Sequence, residues 1–329
     1  MKPTFTMLIG LPASGKSTWV KDYVKEHKDK EIIICSSDSV RKELYGDESI
    51  QGDVNKVFNI LNKRVVEYLK SGKDVIYDCT NIKRKTRLPL IDRIKKNVDC
   101  NINCVCIMTP YGVCLERNKS RKRVVPEEII RKMLLNWQPP CQKEGFNKID
   151  ILLAKSAPKT AEISRNQPKS ADFDYSISNF LKIADNFDQE NSHHKLTLGE
   201  HCRKATEYID QIYPHYSEEQ KVMYISALLH DNGKLVTKTR INARGIDDGD
   251  CHYYQHHCVG AYNSFFYTEE LSILNIQQRL MISNLIYYHM HPYITWEQSE
   301  KSLKRDKGIL GDKMFDLIQI LHKADLYAH

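Results

Sequence analysis

The sequence lacks any uninterrupted apolar run long enough to cross a lipid bilayer, so we do not expect a membrane-spanning protein. It also lacks a C-x-x-C pair. The 10 cysteines are scattered along 329 residues, which predicts reduced thiols and argues against a disulfide framework. The short apolar run after Lys2 leads directly into the loop described below, so it is not predicted to be a cleaved secretion signal, and a cytoplasmic location is expected.

Charge of one sign is only modestly in excess. The chain has 49 basic and 42 acidic residues, for a net charge of +7, which suits a phosphate-bearing partner without establishing one. The composition, 41% hydrophobic and 28% charged, is that of an ordinary globular protein. A chain of 329 residues is long for a single core and predicts about two domains.

The stretch from Gly10 to Thr18 fits the phosphate-binding pattern G-x-x-x-x-G-K-[ST] in every specified position. An apolar strand is predicted before it over 5–9 and a helix after it over 17–26, which is the context this motif requires. Its glycines permit backbone conformations that turn successive N–H groups toward phosphate oxygens at a helix N-terminus. The predicted nucleotide-binding residues are Gly10, Ala13, Ser14, Gly15, Lys16, Ser17 and Thr18, with Lys16 at the β/γ-phosphates and Ser17 as a ligand of Mg²⁺.

Two more predicted strands end at the same edge of the sheet. The run 31–35 leads to Asp38, and the run 74–77 leads to the segment 78–81, so both segments should face one crevice. Asp38 and Arg41 are three residues apart and share one face if a helix begins here. The Asp38 carboxylate is predicted to accept the proton of an attacking hydroxyl, and a simple helix N-cap is the alternative.

A basic segment follows a fourth predicted strand over 101–108. Arg117 and Arg121 are predicted to lie one helical turn apart, and a new helix is predicted to begin over 124–128. A helical lid carrying arginines would neutralise the transferred phosphoryl group and exclude water, whereas a solvated basic helix is the alternative. The cations that open the preceding helix are predicted to contact an anion or to be solvated, with neither favoured: Lys83, Arg84, Lys85 and Arg87.

In this order the motifs resemble the polynucleotide 5′-kinases of nucleic-acid repair. The resemblance rests on Gly10 to Thr18, Ser37-Asp38-x-x-Arg41, Asp78-x-Thr80-Asn81 and Arg117-Asn118-x-x-Arg121…Val125-Pro126. It implies that Asp38 is the general base for a 5′-hydroxyl and that Arg41 contacts a phosphate of the acceptor strand. It also implies that Arg117 and Arg121 hold the phosphates of ATP or another NTP, with Mg²⁺ as the metal.

Residues 156–174 are rich in Lys, Ser, Pro, Ala and Asn and show no apolar period, so they are predicted to link a domain over 1–155 to one over 175–329. The second domain is predicted to be helical. Its apolar spacing predicts helices over Leu198–Ile212, Ser217–Leu229, Tyr253–Tyr267, Ile276–Tyr288 and Lys313–Tyr327. Ser217 and Gln220 predict a capping box, and the Gly/Asp-rich segment 242–250 predicts a mobile crossing over a pocket.

Histidines are concentrated in the second half, where each predicted helix carries or ends at a residue of metal-ligand type. The predicted ligands are His201, His230, Asp231, His256, His289 and Asp325. Adjacent residues reach one ion only near a helix end or a bent turn, and Gly233 offers that break after His230 and Asp231. Each histidine alone would more often be a core or surface residue, but the series predicts a metal site inside a helical bundle.

This series resembles the HD-family metal-dependent phosphohydrolases over residues 193–329. The resemblance implies that His256 rather than His257 is the third histidine ligand, and that Lys234 faces the scissile phosphate. It implies one or two ions of Mn, Ni, Fe, Co or Mg. His257 is a candidate for a supporting position, the role of His291 stays open, and the pair at 193–194 is predicted to be a polar loop.

Together the halves resemble bifunctional end-healing enzymes. The predicted fold is an α/β P-loop kinase domain, with a parallel sheet, flanking helices and a helical lid, followed by an all-α HD domain. The predicted activities are phosphorylation of a 5′-hydroxyl polynucleotide end and hydrolysis of a 3′-, 2′- or 2′,3′-cyclic phosphate end. The expected partners are nucleic-acid ends, RNA before DNA, and a separate ligase, with no membrane.

Two other interpretations remain at this point. One is a small-molecule or nucleoside kinase fused to a metal-dependent nucleotide phosphohydrolase. The other is a regulatory protein that senses a nucleotide without turning it over, against which the intact Asp38 and Arg121 argue.

Overall fold

The computed structural model describes residues 2–154, 174–192 and 195–329. These residues form two compact units, the first from 2–133 and 140–154, the second from 134–139 and 174–329. The predicted linker lies outside the described residues except for Asp174, and so does the pair His193 and His194. Within the described ranges, no helix is both long enough and apolar enough to cross a bilayer.

The first unit is built on a parallel sheet of five strands in the order β2-β3-β1-β4-β5, which confirms the predicted α/β fold. The strands are β1 (Thr4–Ile9), β2 (Ile32–Ser36), β3 (Asp74–Asp78), β4 (Asn101–Met108) and β5 (Lys148–Leu153). Strand β1 is central and buried over its last five residues. Helices cover a parallel sheet on both faces, which explains why its strands read as apolar runs in the sequence.

Six helices belong to this part of the chain. They are α1 (Lys16–Glu26), α2 (Ser37–Tyr45), α3 (Val54–Lys70), α4 (Arg84–Asn97), α5 (Tyr111–Lys119) and α6 (Glu127–Leu134). The N-cap of α2 is Ser36, whose hydroxyl accepts a hydrogen bond from the Ser39 N–H. The alternative that Asp38 is the N-cap is therefore wrong, because Asp38 lies in the first turn with its side chain available for other contacts.

The second unit is mainly helical. Its helices are α7 (Ile177–Ala184), α8 (Leu198–Ile212), α9 (Glu218–Leu229), α10 (Lys234–Thr237), α11 (His256–Tyr267), α12 (Ile276–Tyr288), α13 (Glu300–Leu310) and α14 (Asp312–Tyr327). The predicted limits of α8 and α12 are confirmed. The capping box predicted before α9 forms only in half: Ser217 caps the Gln220 N–H, but the Gln220 side chain donates to Asp210 instead.

The prediction of an all-α second domain is wrong at one place. Strands β6 (Thr239–Ile241) and β7 (Asp247–His252) form an antiparallel hairpin across the segment predicted to be a mobile crossing. The Asn242 side chain accepts hydrogen bonds from the N–H groups of Arg244 and Ile246, and Gly245 has a φ of 80°. These turn residues close a polar segment into a hairpin even though it has no apolar alternation.

The core of the second unit contains α11, which is buried along its whole length. The segment 134–139 joins this core. Trp137 packs edge-on against Tyr262, with ring centroids 5.2 Å apart, and Gln138 donates a 2.6 Å hydrogen bond to the Tyr287 hydroxyl. A segment that the sequence assigned to the first domain thus packs in the second unit.

Candidate functional site

The phosphate-binding loop lies between β1 and α1. Ala13 and Gly15 have φ values of 61° and 103°, so left-handed residues alternate along the loop and turn its N–H groups to one side. Gly10 is required by close packing, because a Cβ there would lie 2.6 Å from Ser14 Oγ and 2.8 Å from the Ile107 carbonyl oxygen. Two hydrogen bonds brace the loop: Gly10 N–H donates to the Thr80 carbonyl, and the Thr109 hydroxyl donates to the Ser14 carbonyl.

Lys16 reaches back across this loop. Its Nζ donates to the carbonyl oxygens of Gly10 at 3.0 Å and Leu11 at 2.7 Å. Burial lowers the pKa of the Lys16 amine, and the Asp78 carboxylate acts in the opposite direction. The amine is thereby held over the loop, where the sequence places its contact with phosphate oxygens. Thr18, in the first turn of α1, donates its N–H to the Gly15 carbonyl and completes the loop-to-helix turn.

Ser17 and Asp78 lie side by side at the start of α1 and the end of β3. The Ser17 hydroxyl donates to Asp78 Oδ2 at 3.3 Å, and burial raises the pKa of the Asp78 carboxyl. A hydroxyl and a carboxylate are oxygen ligands of the kind that Mg²⁺ prefers. Asp78 lies in the segment 78–81 that the sequence places at this crevice, but it is not among the predicted site residues. Its position at the carboxyl end of a strand was the signal that could have identified it.

Asp38 is held by two arginines. Its Oδ1 accepts a 3.0 Å hydrogen bond from Arg41, as the spacing predicted, and a 2.8 Å hydrogen bond from Arg123. The Asp38 side chain remains 44% exposed. The end of β2 pairs with the end of β3, Ser36 with Asp78, so Asp38 follows the sheet edge at which Asp78 contacts Ser17. Sequence reasoning missed Arg123, whose only signal was its place in the basic run after α5.

The two predicted lid arginines also lie near the loop. Arg117 is in the last turn of α5, and its Nη1 is 3.9 Å from the point that a Cβ on Gly15 would occupy. Arg121 lies beyond the end of α5. The prediction that Arg117 and Arg121 lie one turn apart on the same helix is therefore wrong. Burial has the largest effect on both neighbouring groups, lowering the pKa of Lys16 and raising the pKa of Asp78. The positive charge of Arg121 lowers both pKa values.

Two of the four cations at the start of α4 have a structural partner within the protein. Arg87 Nε and Nη2 donate to the two carboxylate oxygens of Glu144 at 2.7 Å each, and Arg84 Nε donates at 3.0 Å; all three side chains are buried. Arg87 also donates to the Asn81 carbonyl, and Asn81 donates to the Leu8 carbonyl. The anion that these arginines contact is therefore Glu144, and the hydrogen bond from Arg87 to Asn81 ties α4 to the loop after β3.

The second unit brings all six predicted ligand residues together. Their ligand atoms form two overlapping groups, each with every atom within 4.8 Å of the others. The groups are His201, His230, Asp231 and Asp325, and Asp231, His256 and His289. We call these the six-residue cluster. The members come from α8, the turn after α9, the first residue of α11, the end of α12, and α14.

A tight turn lets the adjacent His230 and Asp231 enter the same cluster. His230 ends α9, and Gly233 follows in close contact with α11, where a Cβ would lie 2.0 Å from the His256 carbonyl oxygen. Asn232 secures the turn by donating to the carbonyls of Leu229 and Gly260. The break after α9 that the sequence predicted at Gly233 is thus fixed by contact with another helix.

Asp231 connects the two groups of the cluster. Its Oδ2 lies 3.4 Å from Nε2 of both His201 and His230, and its Oδ1 lies 3.2 Å from Nε2 of His256 and 3.7 Å from that of His289. Asp325 Oδ1 lies 3.1 Å from His201 Nε2 and 3.4 Å from His230 Nε2. One carboxylate therefore faces two neighbouring sets of imidazole nitrogens.

The donor set fits a metal ion. His256 and His289 each use Nδ1 in a hydrogen bond with a backbone carbonyl, of Tyr253 and Ile286, so their Nε2 atoms carry lone pairs. These two Nε2 atoms face each other at 3.3 Å. Lone pairs at that distance repel one another, and a cation between them removes the repulsion.

The electrostatics of the cluster agree with this assignment. Burial, together with His230 and His256, lowers the pKa of His289 to about 3, which keeps it in the neutral form that binds metals. Burial opposes ionisation of Asp231, but Lys234 and His230 outweigh it and hold the pKa of Asp231 well below its usual range. Burial likewise disfavours protonation of His230, yet Asp231 and Asp325 raise the pKa of His230 well above its usual range, so this position attracts positive charge.

Lys234 lies beside the cluster and is buried. Its Nζ is 2.7 Å from Asp231 Oδ2 and 2.7 Å from Gln189 Oε1. His257 and His291 belong to neither ligand group; their rings contact each other edge-on at 5.8 Å, and burial lowers the pKa of His257 well below its usual range. Gln189 was missed by sequence reasoning, because nothing in its local pattern marks it.

Comparisons with known proteins cover the first half of the chain. Residues 5–140 match a family model described as AAA domain. Over 148 residues the chain is 32% identical to the L-seryl-tRNA(Sec) kinase of Methanococcus maripaludis, covering 44% of this chain and 56% of that protein. Over 149 residues it is 24% identical to the bifunctional polynucleotide phosphatase/kinase of Schizosaccharomyces pombe, covering 44% of this chain and 32% of that protein.

The chain thus spans about half and about a third of the lengths of these two relatives. One solved structure, of the Pnkp1/Rnl/Hen1 RNA repair complex, matches 40% of this chain and 42% of its own at 19% identity, with a TM-score of 0.36. The sequence matches and the loop geometry agree, and residues 5–140 are a P-loop kinase domain with similarity to a seryl-tRNA kinase and a polynucleotide phosphatase/kinase.

Proposed function

We propose that the first unit transfers the γ-phosphate of ATP or another NTP to the 5′-hydroxyl end of a polynucleotide. The observation that carries this proposal is the exposed Asp38 carboxylate, held by Arg41 and Arg123 at the sheet edge where Asp78 contacts Ser17. A carboxylate in that position can accept the proton of an incoming hydroxyl. Its exposure leaves room for an acceptor as large as a nucleic-acid end.

The other residues of the first site position and neutralise the nucleotide. The loop N–H groups and Lys16 bind phosphate oxygens, while Arg117 and Arg121 add positive charge from the lid side and help to exclude water. Ser17 and Asp78 would hold Mg²⁺, which when bound neutralises charge on the β- and γ-phosphates. Arg41, fixed by its ion pair with Asp38, is available to an acceptor phosphate.

A second acceptor has a specific observation in its favour. The 32% identity is to a kinase named for seryl-tRNA, whose hydroxyl is carried on an RNA molecule. Both named relatives act on acceptors attached to nucleic acid. The side-chain hydroxyl of a serine whose carboxyl group is esterified to tRNA is therefore the second candidate acceptor, in place of a 5′-end.

Labelled ATP distinguishes these acceptors. The protein is incubated in parallel with a 5′-hydroxyl RNA oligonucleotide, the matching DNA, seryl-tRNA and free nucleosides. Label on the oligonucleotide end is the expected result. Label on seryl-tRNA alone would select the second candidate, and label on nucleosides alone would favour a small-molecule kinase.

We further propose that the second unit is an HD-type phosphohydrolase that removes a 3′-, 2′- or 2′,3′-cyclic phosphate from a nucleic-acid end. The convergence of four imidazole Nε2 atoms and two carboxylates beside Lys234 carries this proposal. Metal ions bound there would lower the pKa of a water and neutralise the phosphate ester. Asp231 would serve both ligand groups, and Lys234 would place its ammonium next to the phosphoryl oxygens.

The test combines metal analysis with an assay of several esters. Purified protein is expected to contain Mn, Fe, Co, Ni or Mg at one or two equivalents, and to release phosphate from an oligonucleotide 3′-end. Release from mononucleotides but from no oligonucleotide would support a nucleotide phosphohydrolase instead. With both activities present, the two reactions would leave ends that a separate ligase can join.

A further inference from the structure

Lys234 is held from two sides, and one of its partners comes from outside the six-residue cluster. Nζ is 2.7 Å from Asp231 Oδ2 and 2.7 Å from Gln189 Oε1, and it lies 5.3 Å from the centre of the Tyr253 ring. Gln189 is completely buried and its Nε2 donates to the Leu196 carbonyl. The amide oxygen of Gln189 therefore has a fixed direction, and it faces the lysine.

The backbone around Gln189 is fastened to the β6–β7 hairpin. Glu190 has a φ of 44°, an unusual left-handed conformation for this residue type. Its carbonyl accepts the Cys251 N–H, and its carboxylate pairs with Lys238 and Arg240. Asn191 donates to the Cys251 carbonyl and Ser192 donates to Asp250. We call residues 188–192 the strap.

A strained residue held by this many contacts fixes the side chain next to it. The Tyr253 hydroxyl, from the segment that leads into α11, donates to the Gln189 carbonyl. The strap is thus tied to the hairpin and to the start of the helix that supplies His256. These contacts hold Gln189 without involving any metal-ligand atom.

We propose that Gln189 is a positioning residue that aims the Lys234 ammonium at the phosphoryl group of the substrate. This inference rests on the proposed phosphohydrolase function of the second unit. A lysine side chain has four rotatable bonds, and an ion pair with one carboxylate oxygen does not by itself fix the direction of the ammonium. Gln189 supplies a second, uncharged acceptor, so it restricts the direction of the ammonium without neutralising the charge that a phosphate needs.

A double-mutant cycle tests this coupling. Gln189→Met keeps the side-chain volume and removes the acceptor, and it is made both in the wild-type chain and in Lys234→Ala. We expect Gln189→Met to lower kcat/KM for a 3′-phosphate oligonucleotide about tenfold in the wild-type chain and less than about twofold in Lys234→Ala. An equal loss in both backgrounds would show that Gln189 acts on the fold and would overturn the inference.

Two other measurements do not depend on turnover. Metal content is expected to be unchanged in Gln189→Met, and loss of metal would contradict a role confined to Lys234. The dissociation constant for inorganic phosphate, measured by calorimetry on the metal-loaded protein, is expected to rise about tenfold in Gln189→Met, in parallel with kcat/KM. An unchanged phosphate affinity together with unchanged hydrolysis would overturn the inference.

A matched variant makes the same substitution outside the strap. Gln211→Met changes an exposed glutamine of α8 that contacts neither the strap nor Lys234, and wild-type kinetics are expected. If Gln189→Met fails to fold, Gln189→Glu retains the shape and the acceptor but adds a negative charge, which should weaken phosphate binding about tenfold. A wild-type protein that hydrolyses no ester would refute the proposed function, while the phosphate-binding measurements would still decide the role of Gln189.

Discussion

The two sites differ in how far their central carboxylates are removed from solvent. The Asp38 side chain in the first unit is 44% exposed and has two arginine partners, whereas the Asp231 side chain in the second unit is 4% exposed and faces four histidines and Lys234. An exposed carboxylate can exchange one of its partners for an incoming hydroxyl. A buried carboxylate cannot give up a partner in this way, because an unpaired charge would remain in the interior.

The supporting residues differ in the same way. In the first unit most of the residues proposed to bind phosphate are consecutive, from 10 to 18, and the other proposed charges are Arg117 at the end of α5 and Arg121 after it. In the second unit the residues of the six-residue cluster come from five different helices or turns between 201 and 325. We therefore expect single changes in the first site to reduce a rate, and changes in the second site to remove the site.

The largest effect is expected from the double variant His230→Ala with Asp231→Ala. It removes members of both ligand groups, so phosphate release should fall by at least about 10³-fold and bound metal should be lost, while the kinase rate stays at the wild-type level. Phosphate release and metal content are measured together with oligonucleotide phosphorylation. His252→Ala, in the hairpin and outside the cluster, is the control. Loss of both activities in the double variant would contradict two independent sites.

Asp38→Asn tests the exposed carboxylate. The amide that replaces the Asp38 carboxylate cannot take the proton from the attacking hydroxyl, so kinase turnover should fall by about 10²- to 10⁴-fold. Phosphate release by the second unit should be unaffected. Single-turnover transfer of labelled phosphate measures the effect. Asp22→Asn, on the exposed surface of α1, should have the wild-type rate. A wild-type rate in Asp38→Asn as well would exclude Asp38 as the base.

The first unit also contains a buried carboxylate, Glu144, that is paired with arginines. The variant Glu144→Gln tests its contribution to stability. Burial alone would raise the pKa of Glu144, but Arg87 and Arg84 lower it on balance. Removing the charge leaves two buried guanidinium groups without their counter-ion, so the free energy of unfolding should fall by about 3–5 kcal/mol. Urea denaturation monitored on the first unit measures this, and Glu43→Gln, which breaks an exposed pair with Arg64, should unfold near the wild-type midpoint.

The loss of stability caused by Glu144→Gln is expected to depend on pH. Because the folded-state pKa of Glu144 is depressed, its contribution is complete above the ordinary glutamate pKa of 4.5 and is lost as the pH falls through the folded value. The stability difference between the wild-type protein and Glu144→Gln should therefore shrink in acid. A difference that stays constant down to acid unfolding would show that the ion pairs are not its cause.

Arg123→Ala should have the smallest effect. It removes one of the two arginine contacts to the half-exposed Asp38 carboxylate. After allowance for solvent screening, this ion pair contributes about 1 kcal/mol of interaction free energy. We expect kcat/KM for the acceptor to fall about fivefold with the KM for ATP unchanged. Lys122→Ala, the neighbouring cation, is the control. An increase in the KM for ATP would place Arg123 on the nucleotide side instead.

Much of both sites could be predicted because binding phosphate or a metal ion requires particular residue types at particular spacings. The phosphate-binding loop needs glycine, lysine and serine in consecutive positions, and strand β4 and helices α8 and α12 begin and end at the predicted residues. The members of the six-residue cluster were predicted from residue type and from their recurrence on, or at the ends of, the predicted helices. The hairpin of β6 and β7 was not predicted, because turn chemistry rather than apolar alternation forms it.

The sequence by itself determined the phosphate-binding loop, the parallel sheet and the set of residues able to bind metal, because each depends on local pattern or residue type. Only the tertiary structure decided that Arg123 meets Asp38, that Glu144 meets Arg87, and that Gln189 meets Lys234. These partners are 85, 57 and 45 residues apart in the chain. A charged or amide side chain selects its partner from whatever the packed backbone brings within hydrogen-bond distance, and no local pattern records that choice.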